Sequence, residues 1–281
     1  MSKIHFHNTY TSMIADPFTA DATYTSVLPS WELRPYIRCF WGSDRDFDPF
    51  ESVFYGNTLI VPDTCFDLML IKDKAANSYK MIFLGMDNTP RIDQWDETDR
   101  DLSLFAIRFP FWVMHLICDI SMKETMGQAY APEDFFPGVK ELCEKIFEQS
   151  KFAMRICLAE KYVKRLIDDS RLKASFFNGV DLMLQKKGRV TLDCLSDHLG
   201  YSHRQTQRIF LDMTGLSPKQ MTDLVRYQSL WQEILKSGSI VYQDLVYTYG
   251  YADQSHLIAD FKKYHSMTPR EALNNVKHGG R

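Results

Sequence analysis

The 281-residue sequence lacks most features that declare an enzyme or a membrane protein. No window holds eighteen uninterrupted apolar residues, which excludes a spanning helix. The opening stretch MSKIHFHNTYTSM has no apolar core and no small-residue cleavage site, so no secretory leader is expected. The six cysteines (Cys39, Cys65, Cys118, Cys143, Cys157 and Cys194) are scattered without a Cys-x-x-Cys pair, the pattern of a reduced, cytoplasmic chain. Gly-x-Gly-x-x-Gly, Walker, Gly-x-Ser-x-Gly and His-Glu-x-x-His motifs are all missing. No catalytic residue, metal ligand set or cofactor is therefore expected. His5-x-His7 offers two imidazoles but no third ligand, and a frayed N-terminus is the better expectation there.

What is present divides the chain in two. From residue 180 onward there are thirteen Lys and Arg against ten Asp and Glu, while the remainder has twenty against twenty-six. Positive charge is thus moved toward the C-terminal part of a chain whose net charge is −3. The first hundred or so residues carry short β-branched and aromatic runs between turn formers: Tyr36–Trp41, Leu59–Val61, Phe66–Ile71, Met81–Leu84 and Leu102–Phe109. Their spacing predicts an antiparallel sheet curled into a barrel or sandwich. Beyond Phe111 the apolar period lengthens toward 3.6. Val139, Leu142, Cys143 and Ile146, then Ile156, Tyr162, Leu166 and Ile167, fit amphipathic helices. A boundary falls near Ser170 to Asn178, giving domains over 1–172 and 178–281. The expected class is α+β, an N-terminal antiparallel β-barrel or sandwich with following helices ahead of an all-α C-terminal domain.

The C-terminal domain reads as a repeated unit. Thr191 caps a short helix stopped by Gly200; Ser202 with Gln205 three residues on is a capping box for the next, which Gly215 ends. Ser217-Pro218 opens a long helix running to Gly238. A short helix to Tyr249, a turn at Gly250 and a helix capped by Asp253 then repeat the design, with Thr268-Pro269 opening a last helix. Helix, glycine turn and capped helix, twice about fifty residues apart, make two helix-turn-helix units joined by a long helix.

The second helix of such a unit can enter the major groove, where each base pair shows its own donor and acceptor pattern. Arg204, Gln207 and Arg208 fall at i, i+3 and i+4 on one helical face, opposite Ile209 and Met213. Arg can pair bidentately with guanine and Gln with adenine, each worth roughly 1–3 kcal/mol of discrimination. Ser202 and His203 sit where phosphates would lie. The second unit offers Gln254, Ser255, Ile258 and Ala259 outward, with His256, Lys262 and Lys263 suited to phosphates, which position a protein without specifying sequence. Two such units on one chain would enter successive major grooves about 34 Å apart.

Gly250 to Arg270, together with Leu199-Gly200-Tyr201-Ser202, Arg204, Arg208, Phe210, Gly215, Ser217-Pro218 and Arg226, resembles the AraC/XylS transcription regulators. That resemblance implies base contacts from Arg204, Gln207 and Arg208 and from Gln254, Ser255, Ile258 and Ala259. Departures from the family pattern include Ser196, Leu230 and Val246 at inward positions that favour Ala. Leu211-Asp212 stands where basic residues are common, and Ile258-Ala259 replaces a polar or basic pair.

The N-terminal half is similar, through Pro35-Tyr36-Ile37, Phe40-Trp41, Pro62-Asp63 and Phe66-Asp67-Leu68, to the family's β-barrel domains, which sense a small molecule or dimerise. Trp31, Tyr36, Trp41, Phe66 and Trp95 are the candidate ligand-pocket residues. The expectation is therefore a sequence-specific regulator binding double-stranded DNA as a homodimer, under control of an unknown small-molecule effector. RNA polymerase is a further partner, and no membrane is involved. A ligand-free DNA-binding dimeriser and a DNA-repair type enzyme fused to such a module are the alternatives. The clustered zinc cysteines of the latter are missing.

Overall fold

In a computed structural model the described residues are 4–15, 24–43, 56–95 and 102–278. The N-terminal half is built on antiparallel strands: β1 (Thr25–Val27), β2 (Cys39–Gly42), β3 (Gly56–Ile60), β4 (Cys65–Asp73), β5 (Ser78–Leu84), β6 (Arg91–Trp95), β7 (Leu102–Pro110) and β8 (Ala129–Tyr130). Among the described residues they pair as a six-stranded sheet, β1-β2-β7-β4-β5-β8, and a two-stranded one, β3-β6. The long strands β4 and β7 form its middle, with Phe66 opposite Phe109, Leu68 opposite Ile107 and Leu70 opposite Phe105. Because side chains alternate along a strand, these six occupy one face, and all six are fully buried. The opposite face carries a polar cluster. Asp67 pairs with Arg108 at 2.8 Å and accepts a 2.8 Å hydrogen bond from Trp41 Nε1, while Arg108 also reaches Asp63 at 3.1 Å.

The helices α1 (Met114–Ile117), α2 (Val139–Phe147) and α3 (Phe152–Leu166) follow the sheet. Val139, Leu142, Cys143 and Ile146 of α2 and Ala159, Tyr162 and Val163 of α3 are buried. Phe152 packs on Phe105 of the sheet with ring centroids 5.3 Å apart. The apolar stripes of α2 and α3 thus face mainly into the chain.

The N-terminus does not fray where it is described, contrary to expectation. Ile4, Phe6 and Tyr10 are buried, and Phe6 lies edge-on to Trp112 and stacks on Phe177. Three apolar residues in so short a stretch show no period, so this docking is not legible from pattern.

Among the described residues seven helices follow: α4 (Ala174–Gln185), α5 (Leu192–Leu199), α6 (His203–Thr214), α7 (Pro218–Ser237), α8 (Tyr242–Tyr249), α9 (Gln254–His265) and α10 (Pro269–His278). Helix α4 starts at Ala174, within the stretch read as a boundary. Its Phe176 meets His115 of the N-terminal half on one side and Phe210 of α6 on the other. The buried side chains of both halves therefore form one continuous cluster.

Candidate nucleic-acid interface

Each expected helix start and stop is present. Thr191 Oγ1 accepts from Cys194 N, and Gly200 leaves α5 with φ +65°. In the capping box of α6, Ser202 Oγ accepts from Gln205 N at 3.3 Å and Gln205 Oε1 accepts from Ser202 N at 3.0 Å. Ser217 and Gln220 repeat that arrangement at α7. Asp253 Oδ1 accepts from His256 N at 2.8 Å to start α9, and Gly250 turns the chain with φ +67°. These local devices fix where α6 and α9 begin, and therefore which side chains lie in their first turns.

Helix α6 buries Thr206, Phe210 and Met213, so its opposite face is outward. Arg204, Gln207 and Arg208 are exposed on it, and none makes an ion pair or side-chain hydrogen bond among the described residues. The uncommitted guanidiniums lie on a helix held rigidly at both ends. The other first-unit residues are more engaged: Ser202 is used by the capping box, and His203 Nε2 lies 2.8 Å from Asp193 Oδ1 on the solvent side.

Helix α9 buries Leu257, Phe261, Tyr264 and His265 against α7, where Tyr227 stacks on Tyr264 and Trp231 meets Phe261 edge-on. Gln254, Ser255, His256 and Ala259 are exposed, and Ile258 is half-buried. His256 Nδ1 accepts weakly from Ala252 N, and its ring stands against Tyr251. Lys262 is exposed, while Lys263 lies over the Tyr264 ring, 4.8 Å from its centroid. An ionic cluster stiffens the joint to α7: Arg226 binds Asp260 at 2.9 Å and covers the Tyr251 ring, whose hydroxyl donates to the same carboxylate. Arg189 spans the two units by donating to the Thr248 carbonyl at the end of α8.

Residues 195–275, from within α5 to within α10, match the family described as a helix-turn-helix domain. The C-terminal part of the chain is a helix-turn-helix domain. No curated protein matches the chain. Among solved structures, ToxT from Vibrio cholerae aligns over 78% of this chain and 95% of its own at 12% identity and a TM-score of 0.42. ToxT with bound unsaturated fatty acid aligns over 94% of this chain and 96% of its own at 11% identity and a TM-score of 0.39.

The helix-turn-helix domain is joined to the N-terminal half at two places that sequence reading missed. Asp212, odd in a helix expected to favour basic residues there, accepts a 2.7 Å hydrogen bond from Ser121 Oγ, and its carbonyl accepts from Met122 N at 2.8 Å. Gln228, a polar residue on the buried face of α7, is fully buried. Its Oε1 accepts from Met13 N at 2.7 Å, and its Nε2 donates to the Met13 and Pro62 carbonyls. Trp231 Nε1 donates to the Ile14 carbonyl beside it. A glutamine amid Met221, Leu224, Val225 and Trp231 was the one available signal, since a buried amide needs partners.

The five aromatics proposed as pocket residues are dispersed. Trp31 is 72% exposed, Phe66 is in the sheet core stacked on Phe83, and Tyr36 donates to Asp169. Trp41 is committed to Asp67, and the Trp95 side chain lies outside the described residues. Among the described residues no group of three or more His, Cys, Asp or Glu could hold a metal, and no helix is long and apolar enough to cross a membrane.

Proposed function

We propose that this chain is a sequence-specific transcription regulator that reads DNA chiefly with α6, takes support from α9, and is controlled through its N-terminal half. The outward face of α6 carries this reading. Arg204, Gln207 and Arg208 project from one face of a rigid, doubly capped helix without internal partners. Free guanidinium and amide groups at that spacing match the donor and acceptor edges of the major groove. Helix α9, with Ile258 half-buried and no arginine, suits phosphate contacts from Lys262 and a few polar contacts from Gln254 and Ser255.

Control reaches the reading helix by contact. Asp212 lies at the inner end of α6, so movement of the 121–122 segment is passed to the helix that would lie in the groove. A small-molecule effector acting on the N-terminal half has that route available, and a second copy of the chain would supply the second half-site.

Selection of bound duplexes from random DNA tests this reading. The expected result is a site with one well-specified segment, under α6, and a weaker one about one helical turn away, under α9. Affinity for it should fall with salt at a slope near −0.9 per phosphate contact. Absence of any enriched sequence, or binding insensitive to salt, would contradict it.

A further inference from the structure

The N-terminal segment 4–15 closes a cavity of about 320 Å³ against the strands and the turn before β2. Three basic side chains, His7, Arg34 and Arg38, line it, and among the described residues no acidic side chain does. Neither arginine makes a side-chain ion pair or hydrogen bond among the described residues, and Arg38 Nε is buried without an acceptor. His7 Nδ1 is likewise buried and unpartnered. Burial first, then the Arg34 charge, holds the His7 imidazole below its ordinary pKa. Asp63, whose carboxylate feels the Arg38 charge, is already held by Arg108 at 3.1 Å.

The rest of the wall is of two kinds. The hydroxyls of Tyr10, Ser12 and Thr64 form a hydrogen-bonded group. Trp112 and Ile37 supply a buried apolar surface. A half-buried guanidinium such as that of Arg38, whose Nε is enclosed without an acceptor, gains from a ligand oxyanion through charge-assisted hydrogen bonds. An apolar wall beside a few placed polar groups is the usual make-up of a small-ligand site.

We propose that this cavity binds a small organic oxyanion, a carboxylate or phosphate ester on a compact apolar body, with Arg34 and Arg38 on the anionic group and Trp112 against the body. The proposal deepens the effector-controlled reading of the N-terminal half and rests on it. An occupant would touch Tyr10 and Ser12, in the segment whose Met13 and Ile14 are bonded to α7.

The test uses the full chain without DNA and the probes benzoate, phenyl phosphate and neutral benzamide, read by thermal melting and by tryptophan fluorescence. Benzoate or phenyl phosphate should raise the melting temperature and perturb fluorescence, and whichever does so names the oxyanion; benzamide should do neither. Arg34→Gln, at an exposed position that does not endanger folding, and Arg38→Gln should each weaken binding about tenfold, as loss of a charge-assisted contact requires. Arg38→Lys should recover part of it. Equal responses to benzamide, no response to either anion, or full binding in both Gln variants would overturn the proposal. Because no DNA is present, that failure leaves the DNA-reading assignment standing, and failure to select a DNA site leaves this result intact.

Discussion

At the residue scale, the informative side chains are polar groups buried where the pattern asks for apolar ones. Gln228 satisfies three backbone groups of the N-terminal half with one amide. Gln228→Leu preserves volume but leaves the Met13 N–H and two carbonyls without partners. Denaturant unfolding should show a loss of about 2–3 kcal/mol. Two imidazoles make a second prediction. Burial, with a lesser push from Lys173, lowers the His115 pKa to about 4, and burial lowers that of His265 to about 3. The unfolded chain takes up these protons below about 6.5, whereas the folded chain resists. Their contribution is therefore intact above that pH and is lost as pH falls toward 4, at about 3 kcal/mol per imidazole by then. Melting followed from pH 7 to pH 5 should show the decline, and His115→Leu should flatten part of it. An unchanged slope in that variant would contradict the assignment.

At the element scale, what the sequence made legible was local. The caps at Thr191, Ser202, Ser217 and Asp253 and the left-handed glycines at Gly200, Gly215, Gly238 and Gly250 are decided within four residues of chain, and all are found. The long strands β4 and β7 were equally plain, because nine residues give alternation room to show. The short β1 and β8 lack that room. The docking of residues 4–15, Asp212 and Gln228 depends on partners a hundred or more positions away in most cases, which no local pattern encodes. Gly215 combines both kinds of constraint. Its φ of +77° ends α6, and a Cβ there would meet the Met122 carbonyl oxygen at 2.5 Å. Gly215→Ala should cost about 2 kcal/mol or more, from backbone strain and from displacement of the 122–125 turn. Calorimetry of the variant checks this, and a wild-type melting temperature would show that the turn and α6 are not tightly joined.

At the scale of the whole molecule, the helix-turn-helix domain and the N-terminal half share a core rather than a linker. Phe6, Phe177, His115, Phe176 and Phe210 run as a chain of ring contacts from the N-terminal segment to α6. Asp212 and Gln228 add hydrogen bonds at α6 and α7. The two helix-turn-helix units are alike in frame and unlike in face: α6 presents arginines and a glutamine, α9 a half-buried isoleucine and lysines at its far end. Specific reading should then rest on α6 and general grip on α9. Footprinting and titration of the selected site with Arg208→Ala beside Lys262→Ala test this most directly. Arg208→Ala should lose about 1–3 kcal/mol on that site and relax the preference at one base, while Lys262→Ala weakens all sequences alike. An Arg208→Ala protein with unchanged affinity and base preference would show that α6 is not the reading helix.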